Sequence, residues 1–339
     1  MWRSRGVCRE IGEIVRERPR DAERRVVTSP PANTITTTAA TDSCAASPPS
    51  GARRAGRLLL KSAAIAAAVW VVCGVYLFVR QDYYLYLPDA GVEPIGAALP
   101  GGREVHTRTR DGLDIPAWFV DAGGITPCAK APAVLLFHGA GGSRSSLAPL
   151  ATQLVKRGFA VLLVEYRGFA GAPGTPSEEG LALDAEAANT WLRSQPSIDS
   201  DHVSYLAYSL GTAVATRLAQ TSPPRTLILQ APFTSVPDAA AAQYTIYPTR
   251  QLVRAQFATI ERIGHVEAPV MVVAGTQDQV VPIDQSRAVF AAARDRRSMV
   301  EVPGADHFDA RFAGHDRSYV DQLVRFLDSV PPLNPCVVS

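Results

Sequence analysis

No part of this sequence that reads as folded is basic. The formal charge of +2 over 339 residues hides an asymmetry: residues 1–57 carry 11 arginines against 6 acidic residues, whereas residues 81–339 carry 21 basic and 26 acidic ones. Without a concentrated cationic face, nucleic-acid binding by the folded part is excluded. Cysteine is scarce, with five in the chain, and none stands at zinc-site spacing. Cys8 and Cys44 fall in the N-terminal tail and Cys73 in an apolar run. That leaves Cys128 and Cys336, which either pair in an oxidising compartment or remain two unrelated thiols. Charge is also missing from one long stretch, Ser62 to Val79, preceded by Leu58, Leu59 and Leu60.

Counting from those leucines, about 22 residues at ~1.5 Å each reach ~33 Å, enough to cross a bilayer core. A buried core helix would keep a polar face, and this stretch has none beyond Lys61. Arg53, Arg54, Arg57 and Lys61 precede the span, while Arg80 and Asp82 follow it. The positive-inside rule therefore puts the N-terminus in the cytoplasm and the C-terminal domain on the outer side. No Ala-x-Ala cleavage site follows, so residues 58–80 read as an uncleaved signal anchor. Residues 1–57 mix Arg/Glu clusters with Thr/Ser/Pro/Ala runs that bury too little apolar area to fold. They read as a disordered tail, or as sequence upstream of the true start.

From Gln81 to about Pro331 short apolar runs alternate with amphipathic ones. Strands are expected at 113–120, 133–137, 160–164, 203–207, 227–230, 270–274 and 299–302, and helices near 146–157, 177–194, 210–221, 283–295 and 315–329. Continuous apolar strands separated by helices predict an α/β fold, a mostly parallel sheet covered on both faces. Ligands of such sheets sit at the carboxyl ends of the strands. An insert of some 35 residues lies between Phe233 and Pro269, with a small lid within 235–268; a deep tunnel for a long chain would need more cover than that. The aromatics of Tyr83-Tyr84-Leu85-Tyr86-Leu87 belong either at headgroup level or against the domain's own first strands. Residues 332–339 read as a C-terminal tail.

Four strand-end segments carry chemistry. His138-Gly139-Ala140-Gly141-Gly142 follows Phe137; Ser209, in Ala207-Tyr208-Ser209-Leu210-Gly211, follows the run ending at Ala207; Asp278 follows Ala274-Gly275-Thr276-Gln277; His307 follows Val302-Pro303-Gly304-Ala305-Asp306. A serine at a strand–helix joint is ordinarily a helix cap. In this company it has a second reading, as a nucleophile raised on a sharp turn at a helix N-terminus. The order of glycine loop, Ser, Asp and His resembles the α/β-hydrolase superfamily over roughly residues 100–330. The anchor, the Tyr-rich segment and the Thr-Arg-Asp-Gly turn are similar to single-pass membrane-anchored α/β-hydrolases, a subset that includes acyl-thioesterases and lysophospholipases.

That resemblance implies a serine hydrolase with Ser209 as nucleophile, His307 as base and Asp278 as the acid orienting it. Backbone N–H groups of Ala140 and Leu210 would form the oxyanion hole, with His138, Gly139 and Gly141 supporting the loop. No metal or organic cofactor is implied. The substrate expected is a small-molecule or lipid ester or thioester, esterase-, thioesterase- or lipase-like; oligomeric state is left open. Asp306 adjoins His307, but neighbouring side chains diverge, so Asp278 is preferred. The elbow departs from Gly-x-Ser-x-Gly at Ala207, and Thr212 replaces a small residue. Two alternatives stand: a catalytically silent anchored module, and a serine peptidase with Glu301, Asp306 or Asp309 receiving a substrate amine.

Overall fold

The computed structural model describes residues 50–87, 94–122, 130–309 and 311–330. Residues 1–49, the Cys128–Cys336 pair and the tail 332–339 lie outside the described residues. The elements, in chain order, are α1 (Ser50–Tyr86), α2 (Ile95–Ala98), β1 (Arg103–Arg108), β2 (Asp114–Val120), β3 (Ala131–Phe137), α3 (Ala148–Val155), β4 (Ala160–Leu163), α4 (Glu178–Arg193), β5 (Ile198–Tyr208), α5 (Leu210–Thr221), β6 (Leu227–Gln230), α6 (Val236–Gln243), α7 (Thr249–Leu252), α8 (Thr259–Ile263), β7 (Val270–Gly275), α9 (Ile283–Ala292), β8 (Arg296–Val302) and α10 (Arg317–Asp328). The described residues from Lys61 onward form one compact unit.

The sheet has eight strands in the order β1-β2-β4-β3-β5-β6-β7-β8. β1 and β2 pair antiparallel, as do β2 and β4, and all later pairings are parallel. Central strands such as Leu227-Ile228-Leu229-Gln230 and Val270–Gly275 are buried at every position, as a sheet covered on both faces requires. Alternate side chains feed two cores. Leu135, Tyr205 and Leu229 belong to one; Leu136, Leu206 and Ile228 belong to the other. Parallel strands bring their carboxyl ends to one rim, and the glycine loop, Ser209, Asp278 and His307 all follow such ends.

Strand β1 and the two ends of α1 differ from expectation. The helix expected at 58–80 begins at Ser50, inside the stretch read as unstructured, and continues through Arg80 to Tyr86. Its apolar side chains between Leu58 and Val79 are largely exposed, and one helix here is long and apolar enough to cross a membrane. The Tyr-rich end divides between its two expected fates. Tyr86 is buried against Phe169 and Phe257, while Tyr83 and Tyr84 stay exposed. The insert forms α6, α7 and α8, with Phe257 in the left-handed region between the last two at φ 42°.

Candidate active site

β5 ends at Tyr208 and α5 begins at Leu210, so the chain must reverse within one residue. That residue, Ser209, has φ 51° and ψ −120°, a conformation costly for anything with a side chain. The turn closes only because its neighbours are small. A Cβ on Gly211 would stand 2.6 Å from the His138 carbonyl oxygen and 2.7 Å from that of Phe137. A Cβ on Gly139 would stand 3.0 Å from the Ser209 Cβ. The two departures from the usual pattern are accommodated. Ala207 lies within β5, paired to Phe137 and Leu229. The buried Thr212 hydroxyl donates to the Ser209 carbonyl at 2.6 Å, bracing the turn.

Ser209 stands at the N-cap position of α5, yet its hydroxyl caps nothing. Ser177 and Ser235, at the starts of α4 and α6, adopt extended backbone and accept from Gly180 N–H and Asp238 N–H. The Ser209 Oγ instead meets His307 Nε2 at 2.9 Å. His307 Nδ1 lies 2.7 Å from Asp278 Oδ2. The other oxygen of Asp278 accepts from Val280 N–H at 2.9 Å and Val281 N–H at 2.8 Å, which fixes the carboxylate in the turn after β7. Asp278 and His307 are both buried, at 8% and 4% exposure. Gly275 makes room for the loop carrying His307, since a Cβ there would fall 2.4 Å from the Ala305 carbonyl oxygen.

Tyr208 holds the loop from beneath. Its hydroxyl donates to the His307 carbonyl, and its ring lies against the imidazole. Burial, with the charges of Asp278 and Asp306, raises the phenol well above its ordinary range, so it stays a neutral donor. Asp306 accepts from Phe308 N–H and is not the partner of His307. Of the remaining histidines, His106 pairs with Asp114 and His202 with Asp199.

Beneath the glycine loop lies an ionic cluster that the sequence reading missed. His138 is buried, with Nε2 at 2.8 Å from Glu165 Oε1 and Nδ1 at 2.8 Å from the Gly139 carbonyl. Glu165 Oε2 also accepts from the Arg144 backbone N–H and guanidinium. Burial pushes the Glu165 carboxyl up, but the charges and hydrogen bonds of His138 and Arg144 outweigh it and leave the group below its usual range. The Tyr166 hydroxyl donates to the His138 carbonyl at 3.1 Å. A carboxylate between Val164 and Tyr166, directly after an apolar strand, was the signal available, because a buried charge needs partners. Ala140 and Leu210 border the same cavity as Ser209 and His307.

That cavity, about 320 Å³, is walled by α1, the insert and the two loops bearing Ser209 and His307. Among the described residues no carboxylate lines it. Helix α1 supplies Leu77, Phe78 and Leu85 to its wall, so the cover that the small lid lacks comes from the N-terminal helix.

Known proteins agree with this architecture. Residues 129–248 match the family described as serine aminopeptidase, S33. The uncharacterised Mycobacterium tuberculosis protein Rv2307c is 41% identical over 266 residues, covering 78% of this chain and 93% of its own. The lysophosphatidylserine lipase ABHD12 of Rattus norvegicus is 28% identical over 240 residues, covering 64% of this chain and 57% of its own. An esterase of Pyrococcus furiosus shares the fold with a TM-score of 0.60 at 17% identity, over 72% of this chain and 96% of the solved one. The chain belongs to the α/β-hydrolase superfamily.

Proposed function

We propose that the protein is a membrane-anchored serine hydrolase that cleaves carboxylic esters or thioesters through an acyl-enzyme on Ser209. The observation that carries this reading is the run of hydrogen bonds from Asp278 through His307 to Ser209, ending at an apolar cavity. His307 Nε2 takes the Ser209 proton as the hydroxyl oxygen attacks the substrate carbonyl, and Asp278 steadies the imidazolium that results. The negative charge on the tetrahedral carbon's oxygen is met by N–H groups of Ala140 and Leu210, the second at the start of α5. His307 then gives its proton to the departing alcohol or thiol. Water repeats the sequence on the acyl-enzyme, releasing a carboxylic acid and restoring the serine.

Several features favour an ester over a peptide. A substrate amine would need a carboxylate in the cavity, and none lines it among the described residues. Asp309 pairs with Arg311 and Glu301 with Arg287, so two of the carboxylates considered for that task are already engaged. The silent-module alternative is disfavoured by the connected Ser209, His307 and Asp278. In this reading α1 crosses the membrane with its N-terminus in the cytoplasm and the catalytic domain outside, following the arginines before the span.

A fluorophosphonate probe tests the chemistry. The expected result is stoichiometric labelling of the full-length protein that disappears in Ser209→Ala. Absent labelling, or labelling that persists in that variant, removes the catalytic reading.

A further inference from the structure

The helix that reads as the membrane anchor is also a wall of the candidate site. Trp70, Gly74, Leu77, Gln81 and Leu85 recur at helical spacing, so one face of α1 is turned toward the insert while the rest carries apolar side chains outward. The packing on that face is specific. The rings of Trp70 and Tyr247 stack at 5.2 Å, the Trp70 indole donates to the Ile246 carbonyl, and the Tyr247 hydroxyl donates to the Trp70 carbonyl. Gly74 is where the ring of Tyr247 fits, since a Cβ there would stand 2.9 Å from its Cε1. Three turns beyond Trp70, Gln81 accepts from Arg254 N–H and Asp82 pairs with the Arg254 guanidinium.

These two sets of contacts are separated by about 16 Å along the helix, roughly half of a ~30 Å hydrocarbon core. If Arg254 and Asp82 mark the headgroup level, the insert's tip runs beside α1 through one leaflet. At the tip Ile246 is 68% exposed and apolar, while the nearby exposed charge of Arg250 is paired with Asp238. The cavity lies between the same two elements, with Ser209 and His307 at one end and Gly74 and Tyr247 among its lining residues. Its exposed rim is apolar as well, with Leu87, Leu252 and Phe308, the last 77% exposed.

Resting on the reading of Ser209 as the nucleophile, we infer that the inner face of α1 and the insert together form an acyl-chain subsite. Its occupant is the long acyl chain of an ester lipid drawn from the surrounding leaflet. Gly74 and Leu77 set its depth, and the carbonyl of the bound lipid comes to rest at Ser209. A long chain gains affinity by burying its length in this groove, whereas a short acyl group uses only the end near Ser209.

The test measures kcat/KM of the full-length enzyme in detergent micelles for p-nitrophenyl palmitate and p-nitrophenyl butyrate. Leu77→Trp and Ala240→Leu, which fill the groove from α1 and from the insert, are expected to lower the palmitate-to-butyrate ratio about tenfold or more. Val75→Leu, on the outward face, should leave that ratio as it is. Fluorophosphonate labelling of Ser209 in each variant reports that the site is assembled. An unchanged ratio in both groove variants with labelling intact overturns the subsite, and so does loss of labelling in both, since the face would then hold the fold rather than a substrate. Failure of the unsubstituted enzyme to label or to cleave butyrate is a different outcome, which removes the serine-hydrolase reading on which the subsite rests.

Discussion

Gly211 lies beneath His138 so closely that a single added carbon would stand 2.6 Å from the His138 carbonyl oxygen. The first turn of α5 therefore sits directly on the end of β3, and this contact sets the height of Ser209 above the sheet. The obstructing atoms are backbone: Phe137 pairs with Ala207 of β5, and the His138 carbonyl is held by the Tyr166 hydroxyl, so neither can swing aside. Gly211→Ala should cost about 1–3 kcal/mol of stability through overpacking. It should cost more in catalysis, on the order of 10²-fold, because the Leu210 N–H and the Ser209 hydroxyl move together. Thermal unfolding and ester hydrolysis measured on the same preparation check this; an active, fully stable variant would contradict it.

Asp278 divides its labour between two oxygens, one facing His307 and one holding the backbone of Val280 and Val281. An asparagine in its place would keep an oxygen for those two N–H groups and offer an amide to His307. Asp278→Asn is thus expected to leave the melting temperature nearly unchanged while lowering kcat by about 10³–10⁴-fold, as loss of the orienting carboxylate does in serine hydrolases generally. A large fall in melting temperature with modest loss of kcat would instead mark Asp278 as a turn residue.

Much of this arrangement was legible because apolar runs such as Val134-Leu135-Leu136-Phe137 and Val270-Met271-Val272-Val273 have no polar face to hide. The segments that follow them then fall at one rim by topology alone. β1 escaped notice for the opposite reason: in Arg103-Glu104-Val105-His106-Thr107-Arg108 only Val105 and Thr107 are buried, and its pairing to β2 stabilises it rather than its own hydrophobicity. The ion pairs of Glu165 with His138 and Arg144 join residues 27 and 21 positions apart, a distance no local pattern reports. The part played by α1 was equally hidden. Its composition marks a candidate membrane helix, but which face meets Tyr247 depends on the folded insert.

Glu178, at the first position of α4, holds the insert in place. Its carboxylate accepts from Gln256 N–H at 3.0 Å, from Phe257 N–H at 2.9 Å and from the Arg262 guanidinium at 2.6 Å. Burial raises this carboxyl, but the Phe257 N–H and Arg262 contacts prevail and leave it below the usual carboxylate range. A depressed value in the folded protein means stability that is present above the unfolded value and lost as pH falls through the folded one. Glu178→Gln should therefore be less stable than the unsubstituted protein at pH 7, by about 1–2 kcal/mol. The difference should shrink below about pH 4, where the carboxylate itself protonates. Unfolding curves of both proteins across that range decide it, and a gap that persists undiminished in acid would assign the loss to shape rather than charge.

Cys73 offers a direct reading of where α1 lies. It is a free, exposed thiol one residue from Gly74, in the middle of the uncharged stretch. If the helix crosses the bilayer, a charged maleimide cannot reach this sulfur in intact membrane vesicles, because the reagent would have to enter hydrocarbon. After detergent is added under denaturing conditions, the same sulfur should react fully, as peptide mass spectrometry of the Cys73 fragment would show. Orientation is read separately, by fusing alkaline phosphatase after Ser339: activity in whole bacterial cells is expected if the catalytic domain is outside, because that enzyme needs an oxidising compartment. Rapid modification of Cys73 in unbroken vesicles would move α1 out of the membrane, and an inactive but full-length fusion would reverse its direction.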